Sequence, residues 1–294
     1  MSYYDLPSLK TLILKEQCSA QQAGVWLENI LSFLFNSLYI YDRQGVTENY
    51  IKNIHLKRCF RRLMETVAKV DKFRSLVYSE YIWVNEKKLI NILPLIEMMF
   101  QSEVMQAMLC PSHLCRTQGD LHFDNVLVDK DTDNFILLDP RGTVEFDVFY
   151  DIGKLYHSCH SYYDLIWHGN YSWNFKQDKI NYSWNGNLRD AYDQIYKKLN
   201  ETLSRFKTIQ EEPRWQLKAQ FAEAMHMCSV IPFQFKMDGE ERIALMCYAR
   251  GVEVLNEVFE NLKKECVDQG IRRGDIININ TESDYIKAKR IFEK

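Results

Sequence analysis

Gln118-Gly119-Asp120-Leu121-His122-Phe123-Asp124-Asn125 opens the stretch that decides the reading, and Asp139-Pro140-Arg141-Gly142 closes it. Two short apolar runs lie between, Val126-Leu127-Val128 and Phe135-Ile136-Leu137-Leu138, joined by the polar link Asp129–Asn134. Apolar runs separated by a turn-rich link predict a strand–turn–strand hairpin. Asp120 precedes Asn125 by five positions, and Asp139 stands where the second strand ends.

That layout suits phosphoryl transfer. Such a site needs a carboxylate that orients an acceptor hydroxyl and takes its proton. It also needs two oxygen ligands that hold Mg²⁺ against nucleotide phosphates. In protein kinases the base Asp precedes a metal-binding Asn by five residues, and a second metal-binding Asp follows a hairpin.

The same residues resemble the aminoglycoside phosphotransferase and choline kinase superfamily of small-molecule kinases, whose loop H-G-D-L-H-x-x-N is matched from Gly119 to Asn125. Gln118 departs from it, standing where the family has a supporting His. The resemblance implies Asp120 as catalytic base and Asn125 and Asp139 as Mg²⁺ ligands, with ATP as phosphate donor. It also implies that Asp151, in Tyr150-Asp-Ile-Gly-Lys154, braces the loop. His122 reads as a residue that orients the loop. The match covers about residues 118–157.

A kinase also needs a glycine-rich loop over the phosphates and a strand lysine. Only Gly24 and Gly45 precede Gly119, so no such loop is written before residue 118. The expectation is therefore a predominantly helical α+β fold, a protein-kinase-like C-terminal lobe over residues 1–268 with a catalytic-loop hairpin. A tail follows over 269–294. The N-terminal lobe is read as absent, lost, or supplied by a separate chain. A non-catalytic pseudokinase or interaction module is the alternative. The expected acceptor is a small polar molecule, a sugar or sugar derivative.

Around this core the chain reads as helices. They are expected at about 19–38, 47–70, 94–109, 151–165, 187–207, 212–228 and 239–266. An extended pair at 81–84 and 89–92 turns on Asn85-Glu86. The repeated Asn-Tyr-Ser-Trp-Asn at 170–174 and 181–185 predicts an aromatic hairpin, either the rim of an acceptor pocket or a cap on the core. The tail, with a strand at 276–279 and Asn280-Thr-Glu-Ser-Asp-Tyr285, resembles the terminal segment of sugar nucleotidyltransferases. Thr281 as a helix N-cap with Asp284 explains those residues equally well.

The 294 residues carry 37 Lys and Arg against 40 Asp and Glu, a net charge of −3 that gives no pull toward nucleic acid or an anionic membrane. No apolar run reaches the ~18–20 residues of a membrane span. Eight scattered cysteines without a Cys-x-x-Cys pair suit a reducing cytoplasm better than a disulfide framework. Residues 52–74 carry eight Lys and Arg against two acids, either a wall facing an anionic acceptor or a solvated helix face. Arg141 is placed either on an acceptor phosphate or carboxylate or against Glu145 or Asp147. His157, Cys159 and His160 are spaced for a packed helix surface rather than for metal.

Overall fold

The computed structural model describes residues 5–141, 146–176, 178–235, 241–268 and 270. In chain order the elements are α1 (Leu9–Leu14), α2 (Ala20–Phe33), α3 (Lys57–Lys69), α4 (Lys72–Tyr78), β1 (Tyr81–Val84), β2 (Lys87–Ile90), α5 (Ile92–Gln101) and α6 (Glu103–Leu109). Next come β3 (Val126–Val128), β4 (Phe135–Leu137), α7 (Val148–Cys159), α8 (Tyr163–His168), β5 (Tyr171–Lys176), β6 (Lys179–Trp184), α9 (Leu188–Leu203), α10 (Lys207–Gln210), α11 (Trp215–Val230) and α12 (Glu241–Asp268). The structure is mostly helical with two small sheets. The expected tail strand and helix lie outside the described residues.

Contacts divide the chain into two compact units built from interleaved segments. One comprises 1–46, 111–171 and 184–215, and the other 47–110, 172–183 and 216–294.

The first unit holds the 118–157 stretch. Ser8 caps α1, its Oγ accepting from Thr11 N (3.2 Å), and Ser19 caps α2 through Gln22 N (3.1 Å). Each offers a short oxygen to the otherwise orphaned amides of a first turn. Ala23, Trp26, Leu27, Ile30 and Leu31 form the buried stripe of α2, and Tyr192, Ile195, Leu199 and Leu203 that of α9. The strands β3 and β4 pair antiparallel, with Val126 opposite Leu137 and Val128 opposite Phe135. Within their link, the Asp129 carboxylate accepts from Asp131 N (3.0 Å) and Thr132 Oγ1 (2.7 Å), holding the turn that the polar residues predict.

The expected helix over 151–165 is two helices. Tyr162 adopts a left-handed conformation (φ +56) between α7 and α8, and its hydroxyl bonds Asp193 on α9. His157 is buried against the Tyr163 ring (4.1 Å between centroids) and His160 stacks on Tyr196 (4.4 Å).

In the second unit, Asn85 and Glu86 both have positive φ, +47 and +67, which gives the β1–β2 hairpin its two-residue turn. The sequence left unread that β1 also pairs in parallel with β6, making a four-stranded sheet ordered β2-β1-β6-β5. The expected helix over 94–109 breaks at Ser102, whose backbone is extended. Ser102 Oγ starts α6 by accepting from Met105 N (3.3 Å), and Gln106 Nε2 turns back to the carbonyls of Met99 (2.9 Å) and Phe100 (2.8 Å). The basic residues of 52–74 divide between neighbours and solvent. Arg62 pairs with Glu65 (2.6 Å) and covers the Phe233 ring, Lys52 lies over Phe100, and Lys57, Arg61 and Lys69 are exposed.

Asn91 ties this unit together from full burial. Its Nδ2 donates to the carbonyls of Leu76 (2.7 Å) and Ser79 (2.9 Å), while its Oδ1 accepts from Ile92 N (2.9 Å) and Tyr248 Oη (2.6 Å). Replacement by Ala leaves buried carbonyls, an amide and a phenol without that partner. Asn91→Ala is expected to lower unfolding stability by about 3 kcal/mol, since each orphaned group costs roughly 1–3 kcal/mol. Chemical denaturation checks this, and a loss below about 1 kcal/mol contradicts the assignment.

Candidate active site

The loop 118–125 crosses the first unit with its main chain fixed from below. Asp151, fully buried in the first turn of α7, accepts from two successive backbone amides, Gln118 N at Oδ2 (2.8 Å) and Gly119 N at Oδ1 (2.7 Å). Tyr39 Oη adds a third bond to Oδ2 (3.1 Å). Burial still dominates and pushes the Asp151 carboxyl up to about 6, against the opposing effect of the three donors.

Gln118 supplies the next ties. Its Oε1 accepts from Asp120 N (2.6 Å) and its Nε2 donates to the Leu138 carbonyl (2.6 Å), joining the loop to the exit of β4. Its own carbonyl accepts from Arg141 N (2.8 Å). A neutral imidazole also offers one donor and one acceptor, so an amide can make two ties of this kind where the resembled loops carry His. Gly119 sits at φ +85, and a Cβ there would lie 2.8 Å from Arg141 Cβ. Both the backbone conformation and the approach of residue 141 require glycine.

Asp120 is partly buried and doubly flanked by cations. Lys154 Nζ, from α7, lies 2.8 Å from its Oδ1, and Arg141 Nη2 lies 3.7 Å from its Oδ2. Burial pushes the carboxyl up, but Lys154, with help from His122 and Arg141, outweighs it, and the group falls below the ordinary carboxylate range. Asp120 is therefore ionised at neutral pH. Arg141 also donates from Nη1 to Tyr150 Oη (3.4 Å). Asp147 caps α7 instead, accepting from Phe149 N (2.7 Å), and Glu145 lies outside the described residues.

Asn125 immediately precedes β3 and Asp139 lies two residues past β4, at the same end of the hairpin. Leu138 N donates to the Asn125 carbonyl (2.9 Å), which places Asp139 one residue beyond the pairing. Asn125 Nδ2 donates to the Asp120 carbonyl (2.9 Å), an orientation that leaves Oδ1 for a further partner. Asp139 is exposed with φ +47. An amide oxygen and a carboxylate are hard donors of the kind Mg²⁺ takes. That ion needs only one or two protein oxygens beside water and phosphates. The donor chemistry fits, and the chain shows no group of three or more His, Cys, Asp or Glu arranged for a metal among the described residues.

His122 N donates to the Asp120 carbonyl (2.9 Å), and burial pushes the imidazole below its ordinary value. Its Nδ1 is buried with no hydrogen-bond partner among the described residues, so the main chain, not the ring, closes this turn. Next to it, Asp124 accepts from Ser8 Oγ (2.9 Å) and Lys10 Nζ (3.0 Å), fastening the start of α1 to the loop.

Sequence reasoning missed Lys154. It stands three residues after Asp151, so one helical turn presents both side chains on the same face. That spacing was a signal available in Tyr150–Lys154.

No protein-family model and no curated protein sequence matches the chain. Among solved structures it is similar to choline kinase from Cryptosporidium parvum Iowa II, at 16% identity over 92% of this chain and 71% of that one, with a TM-score of 0.31. A likeness of that degree leaves the chemistry to be read from the chain's own geometry. No helix among the described residues is long and apolar enough to cross a membrane.

Gly119→Ala is expected to cost about 2 kcal/mol or more in unfolding stability, from the strained backbone alone. Melting of the variant unchanged from wild type contradicts the left-handed backbone at Gly119. Asp151 adds a pH signature. A carboxyl whose folded pKa exceeds its unfolded one contributes stability fully below about pH 4 and loses it as pH rises through about 6. The stability difference between wild type and Asp151→Asn is expected to shift against wild type by about 2–3 kcal/mol from pH 4 to pH 7. Urea titrations across that range measure it, and a difference independent of pH contradicts it.

Proposed function

We propose that the chain is a phosphotransferase that moves the γ-phosphate of ATP to a hydroxyl of a small polar molecule, a sugar or sugar derivative. The observation that carries this reading is the ionised Asp120 on a loop held by Asp151 and Gln118, beside Asn125 and Asp139 at the end of one hairpin. A carboxylate so held can accept a hydrogen bond from an acceptor hydroxyl and take its proton as the oxygen attacks phosphorus.

Asn125 and Asp139 are the residues that would hold Mg²⁺, which when bound neutralises phosphate charge. Asp120 orients the acceptor hydroxyl and takes its proton as the oxygen attacks. Lys154 and Arg141 make the surroundings of Asp120 cationic, which suits the anionic phosphoryl group being transferred. The resemblance of Gly119–Asn125 to small-molecule kinase loops supports the same reading from the sequence side.

The test is transfer of labelled γ-phosphate from Mg·ATP to a panel of sugars, sugar phosphates and amino alcohols. Wild type is expected to label one class of acceptor and to lose transfer when the metal is chelated. Asp120→Asn is expected to reduce turnover by roughly two to four orders of magnitude while melting like wild type. Undiminished turnover in Asp120→Asn rules out its role. No labelled product and no ATP hydrolysis with wild type rules out the reading.

A further inference from the structure

Lys154 is more than the loop needs. Asp120 is already located by Gln118 through its backbone amide, and its neighbours Gln118 and Gly119 are located by Asp151. Asn125 holds the Asp120 carbonyl. No part of that frame uses the lysine. Yet its side chain is only 14% exposed and delivers Nζ to 2.8 Å from Asp120 Oδ1, on a carboxylate itself 25% exposed. Holding an ammonium this far from water is costly unless its charge is used.

A close ammonium also works against a carboxylate whose whole task is to accept a proton, because it lowers basicity. Arg141, on the other oxygen, is 47% exposed and 3.7 Å away, so it does not share the burden equally. The chemistry that profits from this arrangement is one in which negative charge gathers next to Asp120. An ammonium carries three N–H donors in a rotatable head, so its ion pair with Asp120 leaves donors for a second anionic oxygen.

We infer that Lys154 is a catalytic residue of the transfer step, donating at once to Asp120 and to an oxygen of the phosphoryl group as it passes to the acceptor. This rests on the phosphotransferase reading above. The acceptor hydroxyl oxygen forms a bond to the γ-phosphorus. The bond from that phosphorus to the β–γ bridging oxygen breaks, and its electron pair leaves with ADP. The hydroxyl proton goes to Asp120 and then to solvent. Lys154 gains or loses no atom. Its place on α7, one turn after Asp151, sets its ammonium on the same rigid element that positions the loop.

The experiment uses the full chain with Mg·ATP and either the identified acceptor or water, read as ADP release. Lys154→Met is expected to lower kcat by roughly 10²–10³ with KM for ATP changed less than about threefold, because the missing interaction belongs to the transition state. Lys154→Arg, which keeps the charge, is expected to recover at least about tenfold of the lost kcat. A purely structural lysine predicts parallel loss of stability and activity without recovery in Lys154→Arg, and that result overturns the inference.

A measurement on unmutated protein covers a Lys154→Met chain that does not fold. Acylation of lysines by an amine-reactive reagent, mapped by mass spectrometry, is expected to slow at Lys154 in Mg·ADP with aluminium fluoride, a mimic of the phosphoryl group in flight. The effect should exceed that of Mg·ADP alone by about fivefold or more. Equal labelling in the two states overturns the inference. Wild type that turns over ATP while Lys154→Met matches it defeats the role of Lys154 alone. Wild type with neither turnover nor nucleotide-dependent protection defeats the phosphotransferase reading and the inference with it.

Discussion

A buried carboxylate under two consecutive backbone amides is the constraint on which the rest of the site depends. Asp151 fixes both Gln118 N and Gly119 N, and with them the direction in which the chain arrives at Asp120. Everything placed later in the loop inherits that direction. Gln118 then ties Asp120 to the exit of β4, and Asn125 ties the far end of the loop back to Asp120. The ionised brace is costly, since burial raises Asp151 toward 6 even with three donors around it. A group whose contribution to stability falls as it ionises and yet locates the candidate base fits a trade of stability for function.

The helix α7 concentrates the electrostatics. Its N-cap is Asp147, its first turn carries Asp151, and the next turn carries Lys154. One rigid element thereby supplies both the anion that holds the loop and the cation that faces Asp120. The hairpin brings Asn125 opposite Leu138, and so leaves Asp139 one residue beyond it at the same end, because the register pairs Val126 with Leu137. A third anchor comes from Ser8 and Lys10, which bond Asp124 and bring α1 against the loop. Side chains separated by more than a hundred positions so converge on eight residues of chain.

Much of this was legible in the sequence, for identifiable reasons. The hairpin followed from two apolar runs and a link rich in Asp, Asn and Thr, all of which bond locally. The start of α2 followed from Ser19, whereas the short α1 capped by Ser8 was not expected. What stayed hidden was mostly non-local. The parallel pairing of β1 with β6 leaves no mark in either segment, because alternation reports burial and not partners. The breaks at Ser102 and Tyr162 hid inside apolar runs that read as single helices, since a serine can cap as well as sit within a helix and tyrosine carries no turn signal. Lys154 was overlooked because a lone lysine on a helix is ordinarily a solvent-facing charge, and only the fold shows which carboxylate it meets. Gln118, a departure from the resembled motif, proved to tie Asp120 to the exit of β4 through its amide.

The most direct measurement is a crystal structure of the chain with Mg²⁺ and a non-hydrolysable ATP analogue. The account predicts a metal ion about 2.0–2.1 Å from Asn125 Oδ1 and from an Asp139 carboxylate oxygen, bridging to the nucleotide phosphates. It places the γ-phosphate within about 3 Å of Lys154 Nζ, with Asp120 facing it across the space for an acceptor hydroxyl. A nucleotide bound with its phosphates away from Asp120, or a metal that touches neither Asn125 nor Asp139, contradicts it.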